Sequence, residues 1–323
     1  MISAPDFKEK QILHVHTDWG KPSRLSFRND NIVFEKERKI VNRVSVHKTF
    51  AVFISGDLSL TTNFIKRAKE HGVSVFFLKN NLEMYGGLLT EAEGHYVLRG
   101  KQYGMSEVEQ LNMAKKLVAN KVFNQIALLK QRTEGDERKT LTLRAEDAKL
   151  KIVGIDNHHE LLGTEGNYSR QYFKEHFASI GWRRRAPRTK EDIPNLLMDI
   201  GYTMLFNFTD SLLRLHGFDT YKGFYHRLFF QRRSLACDIM EPMRPLIDKQ
   251  ILKMYNLKQV SEKDFTISQG VYALPFENQP KYAGSFLKCL MNEKSEIFDY
   301  VHGFYQHVMA PEKYSFPEYY IKP

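Results

Sequence analysis

Cysteine is scarce in this chain of 323 residues. The two that occur, Cys237 and Cys289, are far apart in sequence, and neither belongs to a CxxC pair. This pattern excludes the disulfide frameworks of small secreted proteins and gives no sign of a structural zinc site. We therefore expect a protein of a reducing compartment.

Long apolar runs are also missing. No stretch approaches the roughly 20 apolar residues that a membrane-spanning helix needs. The first ten residues, MISAPDFKEK, lack the apolar segment of a signal peptide. We expect a cytoplasmic protein without a membrane partner. A phosphate-binding G-x-x-x-x-G-K-[ST] run is absent too, so nothing points to ATP chemistry.

Positive charge, by contrast, is in excess. The chain has 48 Lys and Arg against 38 Asp and Glu, a net charge of +10, and a pI near 9.3. This balance favours an anionic partner such as nucleic acid. The hydrophobic fraction of 42% suffices for a sizeable core, and the length suggests about two domains.

The first part of the chain has the pattern of β-strands. Segments 10–19 and 24–37 alternate apolar and polar residues, and the NDN run at 29–31 is typical of a hairpin turn. Short apolar runs at 50–55 and 73–78 predict two buried strands. The segment between these two predicts a helix, with Thr61 or Thr62 as its cap and Gly72 at its end.

The second part reads as helical. Ser106 and Glu109 form a capping-box pattern before a long helix, and Asp192 and Gly217 bracket another. The charged run 134–138 suggests a solvated turn. We predict an α+β protein, with a β-rich N-terminal domain over 1–94 and a larger all-α domain over 95–323.

A lone acid next to a glycine, Glu165 and Gly166, interrupts a helical pattern. If Thr164 caps a helix, Glu165 shares its face with Tyr168, Ser169 and Tyr172. A glycine costs a helix about 1 kcal/mol relative to alanine but lets a backbone or a ligand come close. The simpler interpretation is that the acid favours the helix dipole and the glycine fits a tight helix crossing.

Further acids and a histidine follow later in the chain. Asp238 and Glu241 are three residues apart, so on a helix they share one face and repel unless a cation or a proton intervenes. Glu165, His226 and Glu241 together would make a mixed oxygen and nitrogen site suited to Mg²⁺ or Mn²⁺. Asp238 would be a supplementary ligand or would support one. Pro242 is expected to break or kink the helix just after Glu241.

Each of these residues also has a structural explanation. A single histidine is usually satisfied by one hydrogen bond, and Glu241 with Arg244 could be an ordinary ion pair. Tyrosines at 168, 172, 221 and 225 could stack on bases or pack in the core.

Four segments together resemble a known family. GTEGNYSRQYF, APRTKEDIPNLLMDIGYTMLFN, GFDTYKGFYH and SLACDIMEPMRPLID occur in the order and at the approximate spacing of the CRISPR-associated spacer-acquisition integrase, protein one of the adaptation pair. The segment around 52–88 also resembles the β-domain of that family. The similarity thus covers most of the chain.

The resemblance implies roles for individual residues. Glu165, His226 and Glu241 match the metal-binding acid, histidine and second acid of the family, and Asp238 matches a nearby acid. Arg170 and Tyr172 complete the first motif and would border bound DNA. The implied reaction is metal-dependent joining of protospacer 3′-hydroxyl ends to the repeat boundary, together with endonuclease activity.

Basic residues near the proposed ligands are expected to contact phosphates without reading bases. With Arg170 and Tyr172, the predicted DNA contacts are Arg183, Arg184, Arg185, Arg188, Arg227, Arg232, Arg233 and Arg244. A solvated charged face is the alternative interpretation.

The resemblance also implies partners. These are double-stranded and branched DNA, a homodimer through the β-rich domain, and either the small adaptation protein two or a homotetramer without it. Two other functional classes remain open from the sequence. One is a DNA-binding subunit with an inactive site, and the other is a general metal-dependent nuclease.

Overall fold

A computed structural model describes residues 4–17, 20–79, 82–90, 94–226 and 231–322. Most of the strands lie within residues 11–88. Two helices, α1 (Ala4–Lys8) and α2 (Thr62–Glu70), accompany them. The strands are β1 (Gln11–His16), β2 (Ser23–Arg28), β3 (Asn31–Lys36), β4 (Lys39–Ser45), β5 (Thr49–Ser55), β6 (Ser59–Leu60), β7 (Ser74–Leu78) and β8 (Met84–Leu88).

These strands form two four-stranded sheets. One has the order β1-β5-β7-β8, in which β1, β5 and β7 are parallel and β8 is antiparallel to β7. The other has the order β4-β3-β2-β6. Its β2–β3 turn places Asn29 and Asp30 at φ of 47° and 55°, a conformation that these two residue types tolerate well. The hairpin predicted at this run is therefore confirmed.

Strand β5 is buried on both faces, and its two faces serve two cores. Val52 and Ile54 pack with side chains of the second sheet. Ala51 and Phe53 point the other way, into a core shared with the helices. Because successive strand residues alternate sides, a continuous apolar run is what such a central strand requires.

Helices dominate the rest of the chain. They are α3 (Tyr96–Tyr103), α4 (Glu107–Lys130), α5 (Gly135–Val153), α6 (His158–His176), α7 (Ile193–Leu215), α8 (Ser234–Met240), α9 (Arg244–Asn256), α10 (Gln279–Asn292) and α11 (Lys294–Met309). A small hairpin of β9 (Thr266–Ser268) and β10 (Val271–Ala273) interrupts them. The predicted order of a β-rich part followed by a helical part is confirmed, although this hairpin was not expected. The domain boundary at 94/95 stays a prediction.

Several helix ends lie where the sequence placed them. Ser106 and Glu109 form a reciprocal capping box at the start of α4. The Asp192 side chain accepts a hydrogen bond of 2.7 Å from the backbone N–H of Asn195 at the start of α7. Thr61 caps α2 in the same way. These predictions relied on local hydrogen bonding alone, which is why they hold.

Two boundary predictions were wrong. Thr164 does not cap a helix, because α6 begins two turns earlier and is capped by Asn157. The charged run at 134–138 forms the first turn of α5 rather than a solvated turn. A polar residue inside a helix looks in sequence like a residue at its start, and a charged first turn looks like a loop.

Helix α4 positions the residues discussed below. It packs against α5, α6, α9 and a 3₁₀ turn at Glu241–Met243 that links α8 to α9. Among the described residues, no helix is both long and apolar enough to cross a membrane.

Candidate metal centre and nucleic-acid interface

Glu165 lies in the middle of α6 and faces α4. Its side chain is only 16% exposed. The Ser169 hydroxyl, one turn later, donates to Glu165 Oε1 at 2.7 Å. Gln125 of α4 donates in turn to the Ser169 hydroxyl at 3.1 Å. This chain of hydrogen bonds fixes the direction of the Glu165 carboxylate.

Glu241 lies where α8 gives way to the 3₁₀ turn, beside Pro242. The predicted break at this proline is confirmed, since proline has no N–H to continue the α-helical pattern. The side chain is 5% exposed, and Arg244 Nη2 lies 3.0 Å from Glu241 Oε1. Burial opposes the charged form, but Arg244, Lys121 and His226 outweigh it and lower the pKa of Glu241 to about 2. The carboxylate is therefore ionised at neutral pH.

Asp238 is fully buried and holds the segment that carries His226. Its Oδ2 accepts from the backbone N–H groups of Phe224 and Tyr225, at 2.7 and 3.0 Å. Its Oδ1 accepts from the backbone N–H of His226 at 2.9 Å and lies 2.6 Å from Nδ1 of the same residue. Gly223 makes this wrapping possible, because a Cβ there would meet Asp238 Oδ2 at 2.6 Å.

These contacts determine the orientation and the tautomer of the His226 imidazole. With Nδ1 donating to Asp238, the imidazole keeps its Nε2 lone pair free. Nε2 lies 3.9 Å from Glu241 Oε1. Both Asp238 oxygens are already used, so Asp238 suits a supporting role better than direct coordination.

Lys121 of α4 lies between the two glutamates. Its Nζ is 2.5 Å from Glu165 Oε1 and 2.7 Å from Glu241 Oε2. Burial would lower the pKa of Lys121, but the two carboxylates outweigh it and the pKa is raised. The ammonium therefore stays charged and bridges residues that are 76 positions apart in sequence.

Glu165, His226 and Glu241 were predicted to bind one divalent metal ion. Among the residues that the structure describes, no three His, Cys, Asp or Glu side chains already have the geometry of a metal site. The carboxylates of Glu165 and Glu241 nevertheless share one cation, the Lys121 ammonium, and His226 Nε2 lies 3.9 Å from Glu241 Oε1. Two carboxylates and an imidazole are donors that suit Mg²⁺ or Mn²⁺, so the residues fit such an ion in kind.

The predicted DNA contacts divide into two groups. Five of the arginines are exposed and available to phosphate: Arg170, Arg183, Arg184, Arg188 and Arg232. Arg184 also pairs with Glu191 on the surface. Arg227 lies outside the described residues.

The other arginines have partners within the fold. Arg185 pairs with Asp199 at 2.6 Å, and Arg233 pairs with the fully buried Asp210 at 3.0 Å. Arg244 is 28% exposed and binds Glu241. Of these three guanidinium groups only that of Arg244 contacts a proposed ligand, and a phosphate contact from any of them would compete with an existing ion pair.

Tyr172 does not lie where a DNA-bordering residue would. It is 1% exposed, and its hydroxyl donates to Asp248 at 3.2 Å. The expectation that it borders DNA disagrees with this position, because Tyr172 lies on the same packed side of α6 as Glu165 and its buried hydroxyl reaches Asp248 of α9. Tyr225 is buried as well, whereas Tyr221 is 42% exposed.

Gly166 faces open space. A Cβ added there would meet no atom outside its own helix backbone within 4 Å among the described residues. A tight crossing of helices therefore does not explain this glycine. The alternative, room for a ligand beside Glu165, agrees with the open space.

A family model described as CRISPR associated protein Cas1 matches residues 19–287. The chain belongs to the Cas1 family. The resemblance inferred from the four sequence segments is therefore confirmed.

Curated relatives carry the same family name. The chain is 29% identical over 291 residues to a CRISPR-associated exonuclease Cas4/endonuclease Cas1 fusion of Geobacter sulfurreducens, a match that covers 84% of this chain and 52% of the fusion. It thus spans about half the length of that protein. It is 30% identical over 242 residues to CRISPR-associated endonuclease Cas1 3 of Thermus thermophilus, which covers 72% of this chain and 70% of that one.

Solved structures share the fold. A Cas1 protein from Thermotoga maritima has a TM-score of 0.79 at 21% identity and covers 97% of this chain and 99% of its own. A casposase bound to integration product has a TM-score of 0.77 at 20% identity, covering 97% and 95%. A chain of a Cas6-RT-Cas1–Cas2 complex has a TM-score of 0.77 at 23% identity, covering 98% and 36%. At these identities the likeness establishes the Cas1 fold and no more.

Four buried polar residues of α4 were missed by sequence reasoning: Asn120, Lys121, Asn124 and Gln125. Asn124 donates to the carbonyl of Pro242 at 2.8 Å and so holds the turn next to Glu241. A signal for them did exist, because the two polar pairs are four residues apart and lie between the apolar residues Val118, Val122 and Ile126. Buried polar residues of this kind need hydrogen-bonding partners inside the fold.

Proposed function

We propose that this Cas1-family chain is a metal-dependent DNA integrase of CRISPR adaptation with associated endonuclease activity. Glu165, His226 and Glu241 would hold one Mg²⁺ or Mn²⁺ ion. The observation that carries the proposal is the shared cation position of Glu165 and Glu241, with His226 Nε2 3.9 Å from Glu241 Oε1. The names of the relatives, two of them endonucleases and one a casposase bound to integration product, support it.

The proposed reaction exchanges one phosphodiester for another. The oxygen of a protospacer 3′-hydroxyl forms a bond to a phosphorus at the repeat boundary. The bond from that phosphorus to the 3′ oxygen of the broken strand is lost, and this oxygen leaves as a hydroxyl. No net bond energy is needed, in agreement with the missing ATP-binding motif. Water in place of the hydroxyl gives hydrolysis.

When bound, a divalent ion lowers the cost of negative charge on the attacking and leaving oxygens. The residues of the chain provide the remaining contributions. Asp238 keeps His226 in one orientation and one tautomer. Arg244 holds Glu241 ionised from the side opposite Lys121. The exposed arginines would neutralise phosphates along the DNA, which makes binding dependent on salt.

The proposed partners are double-stranded and branched DNA, a second copy of the chain through the β-rich part, and the small adaptation protein two or a homotetramer without it. The Cas1–Cas2 assembly among the structural relatives supports the small partner.

A strand-joining assay tests this function. The protein is incubated with a short duplex and a repeat-bearing plasmid in Mn²⁺ or Mg²⁺, and joined product is measured. Glu165→Ala and His226→Ala should each abolish joining. Glu160→Ala and His159→Ala, exposed residues of the same helix α6, are matched controls and should join normally.

The outcomes separate the three candidate functions. Undiminished joining by both site variants would refute the ligand assignment. Cleavage of many DNA substrates without preference for a repeat would indicate a general nuclease. DNA binding that a chelator leaves unchanged, with no joining by the wild type, would indicate an inactive DNA-binding subunit.

A further inference from the structure

Lys121 is a buried lysine that has two carboxylate partners and lies at the proposed metal centre. It is 8% exposed, and lysine is almost never this buried without a partner of opposite charge. Its Nζ lies within 2.7 Å of both Glu165 and Glu241. The two acids come from α6 and from the turn after α8, so the ammonium joins two separate elements of the fold.

The charges at this place nearly balance without a metal ion. Glu165, Glu241 and the Asp238 carboxylate behind His226 supply three negative charges, and Lys121 and Arg244 supply two positive ones. A divalent cation added to this set would leave an excess of positive charge in a largely buried location, which is costly. One of the two basic side chains must therefore give way.

The geometry indicates that Lys121, and not Arg244, is the basic side chain that moves. Arg244 approaches Glu241 from the other oxygen, Oε1, and its guanidinium lies 4.9 Å from the ring centre of Tyr202. Lys121 occupies the position between the two carboxylates, where a shared ion would lie. Its flexible four-carbon stem allows the ammonium to move, whereas the Arg244 guanidinium is held on two sides.

We propose that Lys121 is a positioning residue that takes the place of the divalent cation in the metal-free protein, and that it withdraws from between Glu165 and Glu241 when the cation binds. This inference rests on the proposed metal-dependent function. In the metal-free state Lys121 keeps two like charges together, and it competes with the metal for them. The affinity for Mn²⁺ is therefore set by this competition as well as by the ligands.

Direct Mn²⁺ binding tests the inference in the absence of DNA. The full chain is titrated with Mn²⁺, and the free ion is measured by its electron paramagnetic resonance signal. Lys121→Met keeps the volume of the stem and removes the charge, so it should bind Mn²⁺ about 10-fold more tightly or better, the scale on which neighbours of ligands change metal affinity. Lys116→Met, an exposed lysine of the same helix, should bind like the wild type.

Thermal unfolding provides a second measurement. In chelator, Lys121→Met leaves two carboxylates without their shared cation, and its unfolding temperature should fall by about 5 °C or more. Mn²⁺ should restore most of this loss. Lys121→Gln, which keeps a hydrogen-bond donor, should show the same changes to a smaller extent and serves if the methionine variant does not fold.

The results distinguish the possible failures. Equal or weaker Mn²⁺ binding by both Lys121 variants, with normal binding by the wild type, would overturn the role of Lys121 but leave the metal centre intact. If a variant binds Mn²⁺ like the wild type yet no longer joins DNA, Lys121 acts on the DNA and the proposal is wrong. Absence of Mn²⁺ binding in all proteins, Lys121→Met included, would refute the metal centre itself.

Discussion

Alanine in place of Gly166 separates stability from function at the proposed site. Gly166 lies in the middle of α6, directly after Glu165, and a Cβ there would meet no atom outside its own helix backbone within 4 Å among the described residues. An alanine therefore fits without strain. In a helix interior, alanine is favoured over glycine by about 1 kcal/mol, which corresponds to a rise of roughly 1–2 °C in unfolding temperature for a chain of this length.

The rate of DNA joining should fall in Gly166→Ala although the stability rises. Residues 166 and 170 are one turn apart on α6, so Gly166 shares a face with the exposed Arg170. If this face receives the DNA backbone, an added methyl group takes space that the backbone needs. We expect Gly166→Ala to be more stable than the wild type and to join DNA at least about 10-fold more slowly. Displacing a reacting group by about 1 Å can reduce a rate by more than this.

The matched control is Gly284→Ala. Gly284 is exposed within α10, a helix that carries none of the proposed site residues, and it also faces open space. Its alanine variant should gain similar stability and join DNA normally. Calorimetry and the strand-joining assay measure the two quantities. If Gly166→Ala gains stability and keeps full activity, the open space beside Glu165 is not used by DNA, and that reasoning is refuted.

Three other substitutions test the roles of buried residues. Asp238→Asn replaces one acceptor oxygen with a donor that faces buried N–H groups. The change should lower the free energy of unfolding by about 2–5 kcal/mol and weaken Mn²⁺ binding about 10- to 100-fold. The control Phe53→Ala, a core change in β5 of similar cost, should leave Mn²⁺ binding unchanged. Asp248→Asn tests pH dependence, because burial raises the pKa of Asp248 from 3.8 to about 6. Between these two pH values the native state binds more protons than the unfolded state, so the stability of the wild type relative to the variant should fall by up to about 3 kcal/mol as pH rises from 4 to 7. A stability difference from denaturant unfolding that does not change with pH would contradict this. Gly201→Ala should destabilise by about 1–3 kcal/mol, since its Cβ would lie 2.4 Å from Ile247 Cγ2; unchanged thermal unfolding would show that α7 and α9 can move apart freely.

Much of the fold follows from local signals. The turn at Asn29 and Asp30, the caps at Ser106 and Asp192, and the break at Pro242 are predicted by backbone hydrogen bonding and dihedral preferences within a few residues. Chain order also suffices for the β-rich part followed by a helical part, since the apolar period changes between them. Thr164 shows the limit, because a polar residue inside a helix looks the same as one at its start.

The pairing of distant residues was decided by tertiary structure. The sequence identifies Glu165, His226 and Glu241 as acids and an imidazole of the right types, with Asp238 nearby. It could not show that Lys121 lies between the two glutamates, that Tyr172 turns into the core, or that Arg185 and Arg233 are held by aspartates. The physical reason is that a charge or a hydroxyl finds its partner through the packing of whole helices, and the side chain alone carries no record of which helix will lie opposite.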